Sequence, residues 1–218
     1  MLNENKKYAR LAGLFWFIFG IFGMLSYMVA DAKLLIADDA AATISNINSN
    51  MGLFIFGILA FIIGYGIFIL LAGFLRKLFK SVDNKLTTIM MSLVIAGTAI
   101  VLAGKSLEIF ALNATVEDAA CLFKLRASIE MAGELFWGLW LFPLVLLIFK
   151  SDFIHKWVGW LLAVAAFVHL LWFAAYVFIP SFVSTVEMIA AIAMPCEFIP
   201  AGYLLIKGVK NGKCPRKS

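Results

Sequence analysis

Histidine is nearly missing from this chain: there are two in 218 residues, His155 and His169. Hydrolytic zinc sites take three protein ligands and most often more than one histidine. Only His169 falls inside an apolar run, so a metal-dependent membrane hydrolase would have to be assembled from one imidazole and nearby glutamates. Cysteine is equally thin. Cys121, Cys196 and Cys214 are scattered, with no Cys-x-x-Cys spacing, which indicates neither a disulfide framework nor a cysteine metal site. No glycine-rich phosphate loop, Gly-x-Ser-x-Gly elbow or cofactor motif is present, so phosphate and acyl chemistry are unsupported and no cofactor is specified. Charge is the scarcest commodity: 14% of residues are charged against 64% hydrophobic, with a mean hydropathy of +1.00. Those values exclude a soluble domain.

What remains is a succession of apolar runs. A span needs about 20 apolar residues to cross about 30 Å of hydrocarbon. On that measure the sequence predicts an all-α, polytopic bundle forming one transmembrane domain over residues 1–218, with helices at about 11–30, 52–75, 87–112, 116–149, 157–179 and 188–206. Ala30-Asp31-Ala32 imitates a signal-peptidase site, but the run before it has the length of a span. Asp39 before Ala40-Ala-Ala predicts a capped, short amphipathic helix in the first outer loop. Gly57, Ala60, Gly64 and Gly66 would let a neighbouring backbone approach the second helix.

The formal charge of +5 invites a nucleic-acid reading, but the excess sits in short segments between spans. Residues 1–10, 76–85, 150–156 and 207–217 carry 14 of the 18 lysines and arginines. The positive-inside rule then places both termini in the cytoplasm of a multi-pass cell-membrane protein, with the lipid bilayer as partner and no nucleic acid.

The ionisable residues within the runs are the candidate site. On the fourth helix Arg126, Glu130 and Glu134 fall within an arc of about 80° at 100° per residue. That face cannot meet lipid, because a charge there costs at least about 2.5–3.5 kcal/mol. On the third helix Lys105 and Glu108 can pair one turn apart, and Lys105 is expected to snorkel to the outer interface. At 1.5 Å per residue, His169 and Glu197 both come near the midplane, about 18 Å and 15 Å from their inner ends, and are expected to meet. Glu130 and Glu134 would form a ladder down to them, giving an outward-opening acidic cavity. Pro195 and Pro200 flank Glu197 and predict an irregular sixth helix.

Arg10-Leu-Ala-Gly13, Asp39-Ala-Ala-Ala42 before Gly52-Leu-Phe54, and Glu197 with Lys207-Gly-Val209 resemble, in order and spacing, the domain-of-unknown-function family numbered 4386. The resemblance covers nearly the whole chain and implies a six-helix integral membrane protein of bacteria or archaea, without implying an activity. The chain departs from that family's pattern at Ser92-Leu93-Val94, where an arginine is frequent before Leu-Val, and at Trp140, where a histidine is frequent.

Three classes of function fit these residues. One is binding or transport of a cation or small solute, with Glu130, Glu134 and Glu197 carrying charge and His169 exchanging a proton. A second is a structural or regulatory membrane partner in which the same groups only hold helices together. The third is the metal-dependent hydrolase, whose metal is unspecified. Six helices make a small carrier, so transport also calls for a homodimer.

Overall fold

The computed structural model describes residues 2–193 and 195–209. The basic tail beyond Val209, with Cys214, lies outside the described residues. All regular structure among the described residues is helical. In chain order the elements are α1 (Leu2–Met24), a π-helical stretch (Leu25–Asp31), α2 (Ala32–Leu34), α3 (Ala40–Ser49), α4 (Met51–Phe79), α5 (Asn84–Ala111), α6 (Val116–Lys150), α7 (Lys156–Phe178), a 3-10 turn (Pro180–Phe182), α8 (Val183–Ala193) and α9 (Pro195–Ile206). Six stretches among the described residues are long and apolar enough to cross a membrane: Asn3–Leu34, Met51–Phe79, Asn84–Ala111, Val116–Lys150, Lys156–Phe178 and Pro180–Ile206. The first starts nearer the N-terminus and ends later than the apolar run alone suggests, because the polar leader and the segment through Leu34 both continue the helix.

The outward faces of these helices are as apolar as their buried faces. On α4, Ile55, Leu59, Ile62 and Leu70 are about half exposed while Phe54, Phe61, Tyr65, Phe68 and Leu71 are buried. A helix apolar all round needs lipid on its open side.

The contacts divide the chain into two compact units, each drawing on parts of the long helices. The first unit comprises residues 1–17, 68–97 and 134–218. Its core is aromatic: Trp140, 1% exposed, lies 5.5 Å from Trp16 and 5.1 Å from Phe68, which stacks on Trp137 at 4.9 Å. Small residues permit close helix approach. A Cβ on Gly13 would stand 2.5 Å from the Leu205 amide nitrogen, and one on Gly138 would stand 2.9 Å from the Ala166 carbonyl. Gly138 therefore lets α6 run against α7 one turn below Glu134. At the ends of these helices, Lys156 Nζ donates to the carbonyls of Ile148, Phe149 and Ser151 and caps α6. Lys150 Nζ meets Asp83 Oδ2 at 2.7 Å, and Lys77 stands over the Tyr8 ring.

The second unit comprises residues 18–67 and 98–133. Ala30, Leu34, Ile47 and Phe54 form its apolar cluster and seat α3 against α4 and the end of the first span. Asp39 caps α3 as its sequence foretold, its Oδ1 accepting from the Ala42 amide at 2.8 Å. Thr115 caps α6, its Oγ1 accepting from the Asp118 amide. Of the α4 glycines, Gly57 and Gly64 are at close approaches, to Ala30 and Phe22, whereas Gly66 faces open space.

Candidate functional site

Among the described residues, two groups of ionisable side chains are buried in the helices, one in each unit.

In the first unit His169 bridges two carboxylates. Its Nδ1 lies 2.6 Å from Glu134 Oε2 and its Nε2 lies 2.8 Å from Glu197 Oε1. Three helices supply one member each. Glu134 is on α6, held against α7 through the Gly138 approach, and His169 is fourteen residues into α7. Glu197 is in the first turn of α9, which begins at Pro195 after α8 ends at Ala193. Pro195 opens that restart, while Pro200 lies inside α9, and a carboxylate in the first turn is favoured by the amides exposed there. All three side chains are largely removed from solvent, at 17% exposure for His169 and Glu197 and 26% for Glu134.

The bridge fixes a proton inventory. Each nitrogen–oxygen contact requires a proton between its two atoms, so the triad holds at least two. An imidazolium between two carboxylates and a neutral imidazole between a carboxylate and a carboxylic acid are alternative placements of those two protons. Either way the formal charge is −1. Lysine and arginine among this unit's described residues are confined to residues 6–10, 76–85, 150–156 and 207. None of these lies in the middle of a span.

The second unit holds a denser group. Lys105 Nζ contacts Asp31 Oδ1 at 2.7 Å and Glu108 Oε2 at 2.9 Å. Arg126 contacts Asp31 Oδ2 at 2.9 Å and Glu130 Oε1 at 2.7 Å through Nη2, and Glu108 Oε1 at 2.5 Å through Nε. Lys105 and Glu108 are 3% and 1% exposed. Three carboxylates and two cations again leave a formal charge of −1. Lys105 also stands 5.4 Å from the centre of the Phe61 ring, and Tyr27 meets Phe61 edge-on.

This arrangement corrects two sequence expectations. Lys105 does not snorkel: its ammonium is buried because Asp31, 74 residues away, supplies the counter-charge. The acidic residues of α6 are not one ladder into one cavity either. Glu130 is paired with Arg126 in the second unit, while Glu134 belongs to the histidine triad of the first. Glu108 does pair with Lys105 one turn away. In sequence, Ala30-Asp31-Ala32 reads as a boundary and gives no sign that Asp31 is a buried counter-charge. The seven-residue π-helical stretch that ends at Asp31 turns it inward, and such wide turns collect at functional positions. Trp140, where the family pattern has histidine, belongs to the aromatic core, and Ser92 is exposed.

Among the described residues, no three His, Cys, Asp or Glu side chains are arranged to hold a metal ion. Strand-free helices, six apolar spans and ionisable groups kept inside them define an all-α polytopic membrane protein. The chain belongs to the family described as a domain of unknown function (DUF4386), whose model matches residues 11–208. No curated protein and no solved structure matches it.

Proposed function

We propose that this protein binds, and in a membrane translocates, a small organic cation at the Glu134–His169–Glu197 triad, in exchange for a proton. The observation that carries this reading is the imidazole of His169 bridged to two carboxylates by exchangeable protons, with no lysine or arginine among its unit's described residues in the middle of a span. Exchanging one of the two bridging protons for a monovalent cation leaves the total charge unchanged, and the imidazole is the group that can release that proton. The five-residue ion cluster of the second unit sets a lysine and an arginine among its three carboxylates and serves as scaffold in this scheme. The basic connectors support an orientation in a cell membrane with both termini cytoplasmic.

Melting of detergent-solubilised protein, followed by tryptophan fluorescence against ammonium, methylammonium, guanidinium and tetramethylammonium at pH 6 and pH 8, tests the proposal. One of these cations should raise the melting temperature, more at pH 8 than at pH 6, because fewer protons compete. The rise should vanish in Glu134→Gln/Glu197→Gln and persist in Glu187→Gln, an exposed residue. Equal stabilisation of the double variant, or none by any of the four, would overturn it.

A further inference from the structure

The second unit contains a cavity of about 410 Å³, within the range of about 300–1,000 Å³ usual for small-molecule sites. Its walls are the loop after α2, the start of α3 and the first turns of α6. Leu35, Ile36 and Phe123 supply apolar surface, Asp38 and Asp39 supply negative charge, and Lys124 and Arg126 supply positive charge.

The loop is a rigid wall. The Ile36 amide donates to Thr43 Oγ1 at 2.9 Å, and the Thr43 hydroxyl donates back to the Ile36 carbonyl at 3.2 Å. Asp38 is the one non-glycine residue with a positive φ, 57°, among the described residues, a backbone state that aspartate and asparagine tolerate. That turn leads directly into Asp39 and the start of α3. Asp39 is committed to capping α3, which leaves Asp38 for a ligand. On the opposite wall Arg126 spends Nε and Nη2 on buried carboxylates, while Nη1 takes no part in those contacts. Lys124, exposed, is the more available cation.

A pocket with cations on one wall, a carboxylate on the other and apolar surface between them complements a zwitterion with an acyl or alkyl portion. It also sits where the first span has ended and the fourth begins, which is headgroup level. We infer that this cavity binds a phosphoethanolamine group, its phosphate toward Lys124 and its ammonium toward Asp38, and that a phosphatidylethanolamine lipid is the occupant. This inference is independent of the triad.

Native mass spectrometry of the full chain, titrated with short-chain phosphatidylethanolamine, short-chain phosphatidylglycerol and free phosphoethanolamine, distinguishes the sources. The phosphatidylethanolamine should bind roughly fivefold more tightly than the phosphatidylglycerol, the increment of one rim ion pair. Asp38→Asn, which keeps the turn, and Lys124→Gln should each remove about that factor while melting as the wild type does. Free phosphoethanolamine binding as tightly as the lipid would retain the site and make its ligand a soluble zwitterion. Equal affinity for both lipids, or variants that bind phosphatidylethanolamine unchanged, would overturn the inference.

Discussion

Replacing Lys105 by methionine keeps the bulk of the side chain and removes the ammonium that contacts Asp31 and Glu108 at 2.7 and 2.9 Å. The second unit's cluster then holds three carboxylates against Arg126 alone. Removing one partner of a buried ion pair costs about 3–5 kcal/mol, most of it from the charge left behind. The 3% and 1% exposures of Lys105 and Glu108 leave little water to soften that penalty. For a chain of this size each kcal/mol corresponds to about 2–4 °C of melting temperature, so Lys105→Met should melt on the order of 10 °C below the wild type. The exposed Lys80→Ala should hardly move it. Adding Asp31→Asn to Lys105→Met removes one of the stranded carboxylates and should restore a substantial part of the loss, a non-additivity expected only of groups in contact. Tryptophan-fluorescence melting in detergent reads the wild type, Lys80→Ala, Lys105→Met, Asp31→Asn and the double variant. A Lys105→Met melting temperature matching that of Lys80→Ala, or a double variant worse than the sum of its singles, would refute the network.

The remaining expectations are simpler. Asp83 is held below the usual carboxylate range, chiefly by its hydrogen bond from Lys150 and then by the Leu86 amide. Its contribution should therefore be full above the ordinary aspartate pKa of about 4 and should disappear as pH falls through the lowered value; the melting-temperature gap between wild type and Asp83→Asn should be flat from pH 7 to about 5 and close below about 4. Gly13→Ala forces a Cβ to within 2.5 Å of the Leu205 backbone nitrogen and should cost about 1–3 kcal/mol in denaturant or thermal unfolding, whereas Gly66→Ala, which meets nothing within 4 Å, should be neutral or stabilising. Cys121 is exposed near the start of α6, so with Cys196 and Cys214 replaced by serine it should react with a membrane-impermeant maleimide on intact cells; labelling only after lysis would reverse the proposed orientation.

The helices were legible because hydropathy writes them directly: runs of apolar residues broken by Arg76-Lys77 and by Lys150-Ser-Asp152 give the spans to within a few residues. The cap of α3 was legible for the same reason that it forms, since Asp39 acts on an amide three residues away. Depth counting also brought His169 and Glu197 to one level, because rise per residue does not depend on neighbours. The failures involve sequence separation. Lys105 was read as a snorkelling cation since nothing near it announces Asp31, and only the folded chain closes that 74-residue gap. Glu130 and Glu134 share a helix face by angle, yet angle alone could not assign one to an arginine and the other to a histidine. The cavity beside Asp38 depends on a left-handed turn that two consecutive aspartates permit but do not specify.

The exchange of a proton for a cation at the triad is measured most directly by titration calorimetry of the stabilising cation in two buffers of different ionisation heat. The difference between the apparent enthalpies gives the protons released per cation bound. The wild type should release about one proton per cation bound, since in the proposed exchange the cation takes the place of one of the two bridging protons, and Glu134→Gln/Glu197→Gln should show no cation-linked release. Identical apparent enthalpies in the two buffers, or the same proton release from the double variant, would contradict it.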